Sequence, residues 1–355
     1  MSGRPKIFGH LMTEVIRKGT CVSCGSCVAV CPVNSIELES GIPKLVGLCT
    51  ACGMCFANCP VAVFDVDEIE NEVYGRTRDE SEAEIGVKTG IYAVRAKDEA
   101  VMEHAQDGGA VTAVISQFLS DGGEGAIVAG LGDESLWIPK PVVVTTKEEA
   151  QAGAGTKYTS SPTILGVDSA VFEHKMKKIA VVGTPCQIRG LAKIATGRFS
   201  EADIRDAVDL KVGLFCMETF NHASLLEYLE NNEIDISKVD KFEIKNGRFI
   251  VKQEGETVHR ARLRKVKDLV RGCCHSCGDF TSEFADLSVG NVGSPNGWST
   301  VIVRTERGEK VLMASEKMGR IEITPIEMGD KSFELVKKLA TMKKDNAAKH
   351  GEDSE

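Results

Sequence analysis

Eight of the thirteen cysteines in this 355-residue chain fall in two copies of one spacing. Residues 21–32 read CVSCGSCVAVCP and residues 49–60 read CTACGMCFANCP, each C-x2-C-x2-C-x3-C-P. Three thiolates at such intervals wrap one face of an iron–sulfur cube, and the fourth, ahead of the proline, reaches across to the other cube. The spacing therefore assigns Cys21, Cys24, Cys27 and Cys59 to one 4Fe-4S cluster, and Cys49, Cys52, Cys55 and Cys31 to a second. Ser23, Gly25, Ser26, Ala51 and Gly53 are small enough to let backbone N–H groups approach the sulfurs, which helps set the potential. Pro32 and Pro60 stop the local helical turns. Two structural zinc sites are the alternative, but zinc has no use for a third cysteine two residues further on.

Five cysteines remain. Cys186, in VVGTPCQ, follows a strand and opens a helix; Cys216 ends the strand of VGLFC; Cys273, Cys274 and Cys277 lie in RGCCHSCGDF. Any one of them reads well as a small buried hydrophobe. The set reads better as ligands. CHSC is a C-x2-C pair in a loop, and two more cysteines stand at strand ends, where α/β folds gather their sites. A zinc site using His275 is one option, and a third iron–sulfur cluster needs the fewest assumptions once two exist. Adjacent Cys273 and Cys274 project in different directions, and C-x2-C favours Cys274 with Cys277. The alternative exchanges Cys273 for Cys216 as fourth ligand.

These residues need elements to hold them. Residues 1–70 form a small dicluster ferredoxin-type domain with little core of its own, stabilised by its clusters. The acidic stretch 71–87 reads as a surface helix or tether. Residues 88–340 have a Gly-rich α/β pattern, and the tail 341–355 is expected to be disordered. AIVAG (126–130), PVVVTT (141–146), KIAVVG (178–183) and DLKVGLF (209–215) read as buried strands. AVTAVISQFLSDG, PCQIRGLAKIATG and HASLLEYLENN have helical spacing. FEIKNGRFIVKQ is a hairpin turned at Asn246-Gly247. ADLSVGNV and the stretch from STVIV to IEITPI add strand, helix and strand. The fold class is α+β, a dicluster ferredoxin followed by a mixed α/β flavoprotein domain. GLGDES (130–135) begins like G-x-G-x-x-G, but Ser135 replaces the third glycine and LWIPKP follows in place of a helix, so a dinucleotide site is rejected.

Composition bounds the partners. Net charge is −9, which argues against general nucleic-acid binding. The start, MSGRPKIFGHLMTEVIRKG, has no long apolar core, and no run reaches the roughly 18 apolar residues of a membrane span. The expected location is cytoplasmic, where thiols stay reduced and many cysteines point to metal rather than disulfides.

Six ordered motifs carry a resemblance: QDGGAVTA (106–113), KYTSSP (157–162), VVGTPCQIRGL (181–191), GLFC (213–216), CHSCGDFTSEFADLSVG (274–290) and GSPNGWSTVIVRT (293–305). Over about residues 88–310 the chain resembles the family that comprises the beta subunits of coenzyme F-420-reducing hydrogenase and formate dehydrogenase. A ferredoxin domain ahead of the flavin domain is similar to the electron-input subunit of reduced-F-420 dehydrogenase. The resemblance implies FAD and one 4Fe-4S cluster in the larger domain, hence three clusters in all. It implies Cys186, Cys216, Cys274 and Cys277 as ligands of the third. It also implies FAD among Asp107, Gly108, Gly109, Lys157, Tyr158, Ser160, Thr184, Pro185, Gln187, Asn291, Gly293, Ser294 and Trp298. Gly108-Gly109 would let backbone approach a ring or phosphate; KYTSSP offers a cation, a phenol and hydroxyls; Trp298 could stack on a flat ring. A tight turn, a solvated loop and a core tryptophan are the plainer readings.

With coenzyme F-420 as substrate, the resemblance implies hydride transfer to or from FAD and single electrons through the three clusters. No protein acid or base is required. The partner would be another redox protein or complex: a quinone- or phenazine-reducing complex, a hydrogenase, a heterodisulfide reductase or a free ferredoxin, with the chain docked peripherally on it. HRARLRKVKDLVR (259–271) is a solvated face or, through Arg262, Arg264 and Lys265, a grip on the coenzyme's anionic tail. A ferredoxin-driven reductase of another substrate and a non-catalytic electron relay are the rival readings.

Overall fold

The two cysteine repeats fold alike. In the computed structural model, which describes residues 4–132, 137–197, 202–327 and 329–352, Ser23 (φ 55°) and Ala51 (φ 58°) take equivalent left-handed positions, as do Gly25 (93°) and Gly53 (82°). One helical turn follows each, Ser26–Ala29 and Met54–Ala57. Alternating hand curls successive N–H groups toward a common centre. Between the repeats runs an antiparallel hairpin of β1 (Ile36–Glu39) and β2 (Ile42–Leu45). Its turn residues Ser40 and Gly41 both have positive φ, as a two-residue hairpin demands.

The rest is built on one eight-stranded sheet. Its strands are β3 (Gly90–Ala96), β4 (Gly125–Leu131), β5 (Pro139–Val144), β6 (Ile179–Gly183), β7 (Val208–Leu214), and three later ones. Between them the chain makes a separate antiparallel sheet of β8 (Val239–Lys245), β9 (Arg248–Gln253) and β10 (Glu256–Arg262). It then returns with β11 (Leu287–Gly290), β12 (Ser299–Val303) and β13 (Ile321–Pro325). The order is β13-β3-β12-β11-β7-β6-β4-β5, with β4, β6, β7 and β11 paired parallel. The expected hairpin turns at Asn246 (φ 52°) and Gly247 (φ 69°).

Alternation decides the layers. In β6, Ala180 and Val182 face one core while Ile179 and Val181 face the other. The first face is covered by the helices Ala110–Ser120 and Glu306–Lys317, the second by Thr163–Asp168 and Pro185–Thr196. Central strands buried on both faces read as apolar runs, which is why the sequence located them.

The acidic stretch takes the helical form of its two alternatives at the end of the helix Val66–Tyr74 and is packed beyond it, whereas the tail departs from expectation. Glu70 and Glu82 are buried; Arg78 pairs with Glu70 and Glu283, and Arg76 with Glu82. Tyr74 also donates to Glu283 O at 2.6 Å. The tail is not disordered through residue 352: it is the end of the helix Lys331–Glu352. Phe333, Val336 and Ala340 bury one stripe of that helix with Ile85, Ile91, Phe280 and Ile302. Residues 133–136 of the rejected dinucleotide match lie outside the described residues.

Candidate functional site

Two cavities hold the repeats' thiols in crossed sets. Cys21, Cys24, Cys27 and Cys59 line one; Cys31, Cys49, Cys52 and Cys55 line the other. N–H groups point at the sulfurs from Ser26 to Cys24 (3.5 Å), Ser35 to Cys31 (3.3 Å) and Ala51 to Cys49 (3.4 Å). Burial pushes the Cys24 thiol up to about 12 and Cys55 up to about 11. Only a cation at their centre would make such thiols thiolates near neutrality. Cys24, Cys27 and Cys59 of the first set are buried, whereas Cys49 and Cys52 of the second are exposed.

The late cysteines meet at the carboxyl edge of the parallel strands. Cys186 follows β6 at the start of the helix Pro185–Thr196, and Cys216 lies two residues past β7. The loop of Cys274 and Cys277 is tied to the same edge: Arg271 N donates to Thr219 O (3.0 Å), and Cys216 N to Phe280 O (2.9 Å). Cys216 has Cys186, Cys274 and Cys277 all near enough to shift it, and burial drives its thiol upward. Burial likewise pushes Cys186 up to about 12. Cys273 is different. It is 5% exposed and packs in the apolar core that includes Ile164, Ile188 and Phe284. The adjacent thiols of Cys273 and Cys274 influence each other, driving Cys273 up and Cys274 down, the latter helped by Thr219 N–H at 3.4 Å.

The two thiol regions adjoin. Cys24 lies close enough to Cys186 to raise it. Ile164 N donates to Cys24 O at 3.2 Å, and Arg271 donates to Cys21 O, Val22 O and, at 2.7 Å, Ser23 Oγ. Arg189, one turn beyond Cys186, lies 3.7 Å over the Phe64 ring. Sequence reasoning missed this seam because its partners lie over a hundred residues apart.

The thirteen residues implied for FAD divide. Asp107, Asn291, Gly293, Ser294 and Trp298 gather beside the amino end of β12. Asp107 hydrogen-bonds the Asn291 side chain, and Ser294 Oγ meets Thr300 Oγ1 at 2.7 Å. Thr184, Pro185 and Gln187 form the amino end of the helix after β6. Thr184 Oγ1 lies 3.2 Å from Cys186 Sγ, so its hydroxyl serves that thiol. Lys157 is spent internally, donating to the carbonyls of Gly153, Ala154 and Gly155 at 2.6–2.9 Å. Burial lowers its ammonium to about 8. Tyr158 accepts from Ile244 N at 2.9 Å and stacks near Phe220, holding the small sheet against the large one. Ser160 is half-buried beside it. Gly108 is explained by packing: a Cβ there would lie against Ser299 N and 2.5 Å from Val94 O. Gly109 has φ 69° at the helix start.

What remains open to a ligand is partly new. Ser161 Oγ and Gln187 Oε1 are buried with no hydrogen-bond partner among the described residues. Such orphans, one in a motif loop and one in the first turn of the helix after β6, fit a polar cofactor that supplies the missing bonds. From the small sheet, Lys241 and Lys245 of β8 act on the Asp107 carboxyl. Strand alternation in Lys241-Phe242-Glu243-Ile244-Lys245 was the available signal for them. Arg262, Arg264 and Lys265, by contrast, are exposed at β10 and the turn beyond it, with β9 between them and β8.

Burial raises Asp107 to about 6, against the pull of Lys245 and Lys241. A raised carboxyl binds more protons folded than unfolded. Stability from this group is therefore present at low pH and lost as pH rises from about 4 to about 6. Asp107→Asn should flatten that segment of the stability curve. At neutral pH it should leave the variant more stable than the parent by about 1 kcal/mol, after discounting for solvent screening. Thermal unfolding at a series of pH values reads this; parallel curves for both proteins would refute it.

Known proteins match this arrangement along its length. Residues 91–165 and 176–328 match the N-terminal and C-terminal parts of the coenzyme F-420 hydrogenase/dehydrogenase beta subunit, and residues 13–60 match a 4Fe-4S dicluster domain. The chain is 38% identical to the beta subunit of the coenzyme F-420 hydrogenase of Methanothermobacter thermautotrophicus, over 75% of this chain and 95% of that one. It is 33% identical to a subunit of the reduced-F-420 dehydrogenase of Methanosarcina mazei, over 96% of this chain and 93% of that one. A chain of the F-420-reducing nickel–iron hydrogenase complex of Methanosarcina barkeri, solved as a xenon derivative, superimposes with a TM-score of 0.71 at 36% identity. The match covers 76% of this chain and 93% of that one. The ferredoxin-like front, the sheet whose carboxyl edge collects the late cysteines, and these matches together make the chain a member of the oxidoreductase family of coenzyme F-420 hydrogenase/dehydrogenase beta subunits.

Proposed function

We propose that the chain oxidises or reduces coenzyme F-420 at a bound FAD and exchanges single electrons with a partner redox subunit through three 4Fe-4S clusters. When bound, FAD supplies the conversion between a two-electron hydride and one-electron carriers. The observation that carries the reading is the meeting of Cys186, Cys216, Cys274 and Cys277 at the carboxyl edge, between the motif loops on one side and Cys24 on the other. Ser161, Gln187, Asp107 and Asn291 would bind and orient the flavin. Lys241 and Lys245 supply positive charge at the same edge, suited to an anionic ligand.

The residues also order the route. Cys186 and Cys24 adjoin, so the cluster held by Cys21, Cys24, Cys27 and Cys59 would stand next to the third. Cys49 and Cys52 are exposed, so the other ferredoxin cluster would face the partner. Val46 and Leu48 beside them are exposed too, Leu48 by 92%. No helix among the described residues is long and apolar enough to cross a membrane.

Anaerobically purified protein should contain roughly 12 iron atoms and one FAD. Reduced F-420 should bleach that flavin, and NADH and NADPH should not, because no nucleotide fingerprint is present. About eight iron atoms with flavin present would remove the third cluster. Rapid bleaching by NADH would remove F-420 as the specific substrate.

A further inference from the structure

Lys343 lies past every cysteine, in the helix Lys331–Glu352, yet its ammonium ends among the late thiols. The residue is 4% exposed. Its Nζ donates to Cys216 O at 2.5 Å and to Asp279 O at 2.9 Å. Asp279 stands two residues beyond Cys277, so one cation ties the loop of Cys216 to the loop of Cys274 and Cys277. The charged groups that face it are Cys216, Cys277, Asp279 and Cys274, with the Glu218 carboxyl also within reach of its charge. Asp279 is already engaged: its carboxylate accepts from Ser282 N at 2.7 Å and Glu283 N at 3.1 Å. The neighbouring Lys344 takes an ordinary role, pairing with Glu283 at 2.8 Å.

A buried ammonium without a carboxylate of its own is costly unless a negative charge stands beside it. Four thiolates around an iron–sulfur cube supply one, and the cube becomes more negative on reduction. A cation fixed in a site shielded from water favours the reduced form.

We propose that Lys343 sets the reduction potential of the third cluster by holding a buried positive charge between its two ligand loops. It is a positioning residue and touches no substrate. The inference rests on the three-cluster reading.

The test is a redox titration followed by electron paramagnetic resonance on the anaerobically purified full chain. Lys343→Gln keeps N–H donors and drops the charge; Lys343→Arg keeps the charge. In Lys343→Gln the third cluster should move to a more negative midpoint. At a fixed potential its reduced-to-oxidised ratio should fall about tenfold, equivalent to about 59 mV for a one-electron couple. The two ferredoxin signals should stay where they are, and Lys343→Arg should restore the parent midpoint. Loss of the cluster in Lys343→Gln with a native midpoint in Lys343→Arg also supports the charge. An intact cluster with an unshifted midpoint in Lys343→Gln overturns the inference, as does loss of the cluster in both variants. Failure of the three-cluster reading is seen separately, as only two cluster signals in the parent protein.

Discussion

Cys274→Ser and Cys277→Ser should each lose the third cluster while the two ferredoxin clusters survive. Iron should fall from roughly 12 to roughly eight atoms. Electron transfer from reduced F-420 to an external acceptor should drop by about 100-fold or more, since even outer-shell changes at metal sites cost about 10–100-fold. Bleaching of the flavin by reduced F-420 should persist, because the break lies downstream of it. Cys273→Ala should keep all three clusters. Its thiol packs in an apolar core, whereas Cys216 has the other three thiols around it. Iron analysis with spectroscopy on the single variants decides the matter. A cluster lost in Cys273→Ala and kept in Cys216→Ser would exchange those two residues in the ligand set.

Gly108→Ala should destabilise the whole large domain by about 3 kcal/mol or more, the upper range for overpacking. The added methyl would meet backbone on two sides, Ser299 N in β12 and Val94 O in β3. Backbone cannot swing away as a side-chain tip can, so the strands themselves must part. The bonds at stake are Ala96 N to Gly108 O at 2.7 Å and Gly108 N to Ser299 Oγ at 3.2 Å. Urea or thermal unfolding of the purified variant measures the loss, and added FAD should not restore it. Normal stability with weakened flavin retention would return Gly108 to a cofactor-cradling role.

The amino-acid sequence by itself determined whatever is local. The crossed sets of eight cysteines were read from their spacing, and those same sets line two separate cavities. The buried strands were legible because β4 and β6 are apolar on both faces, and the Asn246-Gly247 turn because only left-handed residues close that hairpin. Tertiary structure decided the rest. It left Ser161 and Gln187 buried without partners, a condition that leaves no mark on the residue's own neighbours in sequence. It carried the helix Lys331–Glu352 on into the charged tail, where Lys343 is buried against the carbonyls of Cys216 and Asp279. It also brought Lys343 to Cys216 and Cys24 to Cys186, across more than a hundred residues of chain. Spacing reports which groups share a loop, but which loops share a charge depends on how the sheet brings their ends together.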